Sequence, residues 1–311
     1  MGWRCGGIRW AGGVPALGWR RGVERRESAL VYGRELAFRA VGARECVGAR
    51  GNVCPVRAAV PGRSTGGRCA ECARLERAHS VAADTVADDP RVYRVYLAWF
   101  GPGMVKVGIT AEERGSARLL EQGAVAFSWL GRGPLMAARR TEELLRTALG
   151  VPDRVPYARK RAVRSALPEP DLRAAEILRM YESAAALEGW PPSLERIAFA
   201  AADHAGAFGL AGLPPATGVV GELVDGGCVA GRLIAAAGPD LHLATAGGPS
   251  AEGSAADGSP SGGGVTVLDT RLMTGWELTG CPGGGTGSAA VTVPVIPVHD
   301  PRRDGVQDGL F

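Results

Sequence analysis

The chain has 311 residues, 46% hydrophobic and 22% charged, with a formal net charge of +4. That size and balance allow two or three domains and a sizeable buried core. No apolar run approaches the roughly 20 residues that span a bilayer. The N-terminus has no apolar signal core, so a cytoplasmic protein with no membrane contact is expected.

The net charge conceals an asymmetry. Residues 1–80 carry 15 arginines against 6 acidic residues, a net +9, and residues 91–170 carry 14 basic against 7 acidic, a net +7. Residues 171–311 carry 7 basic against 16 acidic, a net −9. A basic front with an acidic tail points to an anionic partner, usually nucleic acid. The competing reading is an arginine-rich solvated surface, because Lys106 and Lys160 are the only lysines in the chain.

Residues 1–45 hold short apolar runs broken by turns, and period-2 alternation in RELAFRAV predicts strands. A cysteine cluster follows: Cys46 and Cys54 flank a glycine-rich turn, and Cys69 and Cys72 form a C-x-x-C pair. Four thiolates suit tetrahedral structural zinc, which would tie down a stretch poor in large apolar residues. A thioredoxin-like redox pair is disfavoured, since no βαβ pattern surrounds Cys69 and Cys72. His79 reads as a surface residue, and Cys5, Cys228 and Cys281 have no partner spacing.

After the polar linker SVAADTVADDP comes VYRVYLAWFGPGMVKVGIT, two apolar runs around the turn Gly101-Pro102-Gly103. Strand alternation puts Val95, Leu97 and Trp99 on one face and Tyr96, Lys106 and Gly108 on the other. The second set, a phenol, an ammonium and a glycine that permits close approach, makes an expected anion site. Thr110-Ala111-Glu112-Glu113 has the form of a capping box, so a helix carrying Arg114 and Arg118 should begin there and stop at Gly123. A strand over Ala124–Leu130 and a helix from Gly133-Pro134 through Leu149 follow, with Glu142 on that helix.

The stretch YARKRAVRSAL clusters Arg159, Lys160, Arg161 and Arg164, either a phosphate-binding helix or a solvated face. Asp171 is the expected N-cap of the next helix, and a short helix is expected over Leu194–Ala202. Glycine-punctuated strands then predict a small β domain, interrupted by a Gly/Ser/Ala/Pro tract at 246–264 that reads as a disordered insertion. The glycine run at Gly283 lacks a phosphate-loop context, and His204, His242 and His299 read as structural or solvated.

The order strand, strand, helix, strand, helix over residues 92–150 resembles the GIY-YIG nuclease superfamily. RVY stands where that family writes GIY, and KVGIT stands where it writes YIGxT, with Lys106 at the second tyrosine position. The resemblance implies a metal-dependent phosphodiesterase acting on DNA. Tyr96 would relay a proton, and Lys106 beside Gly108 would stabilise charge at the phosphate. Arg118, with Arg114 as competitor, would neutralise the phosphate. Glu142, with Glu143 as fallback, would hold Mg²⁺ or Mn²⁺. The four-cysteine segment, VYLA, KVGIT and the C-terminal β region together also resemble an uncharacterised bacterial family known only as a domain of unknown function.

The expected fold class is α+β: a central three-stranded antiparallel sheet with flanking helices. A small β/zinc module precedes it and a small β domain follows. The expected domains are 1–82, 91–190 and 191–311. The leading functional expectation is the nuclease. The alternative is a non-catalytic zinc-containing protein that binds nucleic acid through Arg114, Arg159, Lys160, Arg161 and Arg164. A third reading makes the chain an assembly scaffold.

Overall fold

The computed structural model describes residues 2–78, 89–152, 154–245, 264–281 and 291–298. Strands β1 (Arg4–Ala11), β2 (Val14–Arg21), β3 (Glu24–Ala29) and β4 (Glu35–Val41) lead into the cysteine segment, which ends in helix α1 (Ala70–Ala78). The middle of the chain forms β5 (Val92–Trp99), β6 (Val105–Ala111), α2 (Ala117–Gln122), β7 (Ala126–Pro134), α3 (Leu135–Leu149), α4 (Tyr157–Val163) and α5 (Pro170–Ala185). There follow β8 (Glu195–Arg196), β9 (Ala202–Asp203), α6 (Ala205–Phe208), β10 (Gly218–Val220), β11 (Cys228–Ala237) and β12 (Asp240–Thr245). The remaining elements are β13 (Gly264–Asp269), α7 (Thr270–Met273), β14 (Glu277–Thr279) and β15 (Val295–Pro297). Among the described residues, no helix is long and apolar enough to cross a membrane.

The expected α+β class, centred on a three-stranded sheet between two small β modules, is overturned. Ten strands form one sheet in the order β15-β10-β13-β12-β11-β4-β14-β1-β2-β3. Five more form a second, β6-β5-β7-β8 with β9 also on β7. The physical reason lies in β4 and β1. A short amino-terminal meander would leave backbone donors unpaired along its edges. Instead β4 pairs with β11 (Phe38 opposite Val229) and with β14 (Ala40 opposite Leu278), and β1 also pairs with β14. The segments before and after the middle of the chain thus build one sheet together.

The hairpin at 92–111 forms with Tyr96 opposite Gly108 and Leu97 opposite Val107. Met104 N donates to Gly101 O and Phe100 N to Met104 O across the turn. Both faces are covered, however. Val95, Leu97 and Trp99 enter the main core, while Tyr96, Ala98, Phe100, Leu119 and Phe127 make a second buried cluster. The tract at 246–263 lies outside the described residues, as do His79, Gly283 and His299; Gly264 opens β13.

Three local expectations fail for identifiable reasons. Thr110 stays in β6 and caps no helix: Glu113, the acid of the expected box, pairs with Arg91 (3.1 Å) rather than reaching back, and its neighbour Glu112 reaches across the hairpin to Arg94 (2.7 and 2.9 Å). A 3₁₀ turn at Glu112–Arg114 follows, and α2 begins only at Ala117, ending at Gly123 in the left-handed region (φ +72°). Helix α5 starts at Pro170 with Glu169 as N-cap, so Asp171 lies in its first turn. Residues 194–202 are not helical: β8 and β9 pair with β7, taking up backbone groups that would otherwise lie unpaired at its edge.

Candidate metal centre and arginine-lined cleft

The cysteine segment has little apolar substance. Val60 packs with the thiols, and only Ala49, Ala58 and Cys69 flank them. What gathers the segment is its own turn chemistry. Gly48 lies at φ +79°, and a Cβ there would meet Asn52 O at 1.9 Å, so only glycine lets the chain double back to Cys54. Arg68 donates to Gly48 O and pairs with Glu76 on α1, which also accepts from Arg50 N.

Within this frame the ligand atoms of Cys46, Cys54, Cys69 and Cys72 all lie within 4.8 Å of one another, and Cys46, Cys54 and Cys72 are buried. Zn–S bonds of about 2.3 Å imply sulfur–sulfur separations of roughly 3.8 Å, so the set fits one tetrahedral ion with slight closure. Cys46 Sγ accepts from Gly48 N (3.4 Å) and Cys69 N (3.2 Å). Backbone N–H groups of Ala58 and Val56 pull the Cys54 thiol down to about 7. Burial and the neighbouring thiols push Cys72 up to about 12, a mutual repulsion that a cation among the four sulfurs would relieve. The four cysteines can therefore hold a metal ion such as zinc.

Arg44 fastens this module to the large sheet. Its buried guanidinium donates to Pro61 O (2.6 Å), Ser64 O (2.6 Å) and Gly66 O (3.4 Å) in the module. It also donates to Thr274 O (2.9 Å) and Arg271 O (2.9 Å) beside α7. Burial pulls its pKa down to about 10, still well above neutrality, so it remains a cation neutralised by carbonyl dipoles.

Between the module and strands β1–β3 lies a cleft of about 780 Å³. Eight arginines line it against two glutamates, Glu27 and Glu45. Arg57 and Arg68 come from the module; Arg4, Arg9, Arg20, Arg21, Arg25 and Arg26 come from the sheet. Strand register aligns three of them in one row: Arg4 is opposite Arg20, and Arg20 is opposite Arg25. Glu45 pairs with Arg4 (2.8 Å) and Arg57 (2.7 Å). Among the described residues no carboxylate pairs with Arg20, Arg25 or Arg26. Arg26 stacks on Trp3 at 4.1 Å, and Arg21 also lies over that ring at 4.8 Å. Burial lowers the Arg20 pKa, and the charges of Arg25 and Arg4 lower it further against the opposing pull of Cys46.

Of the sequence-predicted catalytic residues, the tyrosine lies inside the fold and the charged groups nearer its surface. Tyr96 is 1% exposed; its hydroxyl accepts from Gln122 Nε2 (2.9 Å) and its ring fills the space a Gly108 side chain would need. Its phenol is raised by burial, lowered by the Gln122 hydrogen bond and the Arg118 and Arg114 charges, and raised by Glu142. Arg118 and Arg114 both approach Glu121, Arg114 at 2.7 Å and Arg118 at 3.7 Å, and each keeps over two-fifths of its side chain exposed. Glu142 and Lys106 are half-buried.

The sequence-predicted phosphate-binding helix α4 mostly turns inward. Lys160 is buried; it donates to Gln122 O (2.9 Å) and sits over Phe100 (3.8 Å) and Tyr157 (4.4 Å). Arg164, 1% exposed, donates to Asp240 (2.6 Å) and Ala237 O (3.1 Å). Arg161 bridges Asp240 (2.6 Å) and Asp269 (2.9 Å), and Arg271 completes the set on Asp269 (2.6 Å). Of the four, only Arg159 is exposed. The reason is acid placement: β12 and β13 present two buried carboxylates where α4 docks.

His242 joins this network beside Arg164 (3.3 Å), and His204 Nδ1 lies 3.0 Å from Ala124 O, so both described histidines of the tail are structural. Cys228 and Cys281 do meet, contrary to their spacing: burial, then a hydrogen bond with Cys228, pushes the Cys281 thiol up to about 12.

Fold and site define a two-sheet, β-rich protein carrying a four-cysteine centre. The chain belongs to the family described as protein of unknown function DUF2797, whose model matches residues 33–278. The match takes in the four cysteines, Arg44 and the hairpin, while β1–β3 lie before it. No curated protein and no solved structure matches the chain. These comparisons lend no support to the GIY-YIG resemblance.

Proposed function

We propose that this chain is a non-catalytic, zinc-containing nucleic-acid-binding protein whose binding surface is the arginine-lined cleft. The observation that carries the reading is the row Arg4–Arg20–Arg25 beside the cysteine module, in which only Arg4 has a carboxylate partner among the described residues. A protein that places like charges opposite one another across two strand pairs loses stability by it, unless an anion completes the site. Zinc is the fitting metal because four thiolates close its coordination and leave no open position for chemistry. It builds one wall of the cleft and reacts with nothing.

The binding reading is favoured over the nuclease because the Tyr96 hydroxyl is buried and hydrogen-bonded inside the fold. The test is a combined binding and cleavage assay on the full chain purified with its metal, using single-stranded and duplex DNA and RNA with and without Mg²⁺ or Mn²⁺. The expected result is binding that weakens steeply with salt, through counterion release, with no cleavage. Metal-dependent cleavage abolished by Glu142→Gln would move the function to the hairpin. Absence of binding at low salt would overturn the nucleic-acid reading altogether.

A further inference from the structure

We infer that the Arg4–Arg20–Arg25 row is a phosphate site that receives the backbone of a single strand rather than a duplex; this rests on the nucleic-acid reading above. The geometry begins with the register. Arg4 and Arg20 are directly paired across β1 and β2, and Arg20 and Arg25 across β2 and β3. Directly opposed residues on antiparallel strands have Cβ atoms about 5 Å apart. Three guanidiniums at that spacing can converge on one phosphate, whose oxygens accept the paired N–H groups of an arginine fork.

The three are not equivalent. Arg4 is held by Glu45 at 2.8 Å and keeps a quarter of its side chain exposed. Arg20, in the middle, is half-buried, and its charge is destabilised by burial and by both neighbours. Arg25 is exposed on the sheet's edge strand and donates to Gly22 O and Glu24 O. Glu45 binds Arg4 and Arg57 together, so of the row Arg20 and Arg25 are the two with no carboxylate partner among the described residues, and only the nearby Cys46 favours the Arg20 charge.

Shape selects the form of the nucleic acid. The site is a cleft between a sheet and the cysteine module, of a volume typical of pockets that enclose a small ligand. A double helix carries its phosphates on a convex cylinder and meets a concave wall only at the rim, at residues such as Arg9, 68% exposed, and Arg57, 55% exposed. A single strand can bend its backbone inward to Arg20 and splay its bases along the walls. Gly6 and Gly18 on the floor keep the sheet surface low there.

The experiment compares a labelled single-stranded oligonucleotide with its duplex by fluorescence anisotropy over a salt series, using the full chain with its metal. Inorganic pyrophosphate serves as a competitor. Wild type is expected to bind the single strand at least about tenfold more tightly than the duplex. Arg20→Gln with Arg25→Gln should weaken single-strand binding by about tenfold or more and flatten the salt slope by about 0.7 for each phosphate no longer neutralised. Arg179→Gln, which removes one exposed charge on α5, should change neither. The Arg20→Gln and Arg25→Gln protein should melt no lower than wild type, since relieved repulsion offsets the hydrogen bonds removed, and this separates weakened binding from a damaged fold.

Equal or tighter duplex binding that the double variant also abolishes would overturn the single-strand inference while keeping the nucleic-acid reading. Single-strand binding that survives the double variant would overturn the phosphate site. Pyrophosphate binding, read directly by titration calorimetry, with no oligonucleotide binding would show a small-anion site and overturn both.

Discussion

Two basic clusters in this molecule, one contiguous in sequence and one not, have opposite fates. One is Arg159–Arg164 on α4, the densest basic run in the chain; the other is the scattered set Arg4, Arg20 and Arg25. In the first, Arg161 and Arg164 are locked inside by Asp240 and Asp269. In the second, strand register stacks three guanidiniums in a cleft and supplies one shared glutamate. Basic density is therefore a poor guide to which cations the fold leaves without a carboxylate. What matters is whether the fold brings carboxylates to the same place.

The strongest test of this contrast is through the metal. On the proposed reading the wild type should carry about one zinc per chain by elemental analysis, and Cys72→Ala should bring it to background. The module should become protease-sensitive near Arg50 and Arg57, and nucleic-acid binding should go with the cleft wall, while the α4 network stays intact. Retained zinc, or unchanged proteolysis, would sever the link between the cysteines and the cleft.

Next comes the internal cluster itself. Asp240→Asn leaves Arg164 and Arg161 buried with too little negative charge, and should cost about 3–5 kcal/mol in denaturant unfolding. Arg159→Ala, on the exposed side of the same helix, should stay within about 0.5 kcal/mol. Equal effects at the two positions would mean that α4 is not divided into a buried and a solvated side.

The third effect, spread over several pH units and so small at any one step, is a pH dependence at Lys160 beside the internal cluster. Burial, then the charges of Arg164 and Lys106, lowers the Lys160 pKa to about 7. The unfolded lysine holds its proton up to roughly pH 10.4. Between those values the unfolded chain binds more protons than the folded one, so this group makes stability rise with pH, by at most about 1.4 kcal/mol per unit. Below about pH 7 both states are protonated and the penalty is present in full. Lys160→Met should flatten the rise between about pH 7 and 10 in a urea titration. An unaltered slope would place the titrating group elsewhere.

Part of this was legible in the sequence, and it was the part governed by near neighbours. The hairpin around Gly101-Pro102-Gly103, the stop at Gly123, the helix through Leu149 and the four cysteines depend on turn chemistry, left-handed glycine and ligand spacing within a few tens of residues. The Thr110 capping box was legible too, yet it lost to Arg91, which pairs with the box acid Glu113 from the start of the facing strand. A local preference of this kind yields when a charge-assisted bond from another segment competes for the same carboxylate.

Long-range pairing set the remainder. Arg161 and Arg164 meet acids 76 to 108 positions away. Residues 1–45 share a sheet with 218–297 because β4 found partners in β11 and β14. The arginine row exists only when β1, β2 and β3 settle into one register, for a slip by one residue would send its side chains to the other face. The order of residues fixes where charge, thiol and turn occur along the chain. Which charges are neutralised and which are left facing a cleft is a property of distance in space, established by backbone pairing and burial over the whole molecule.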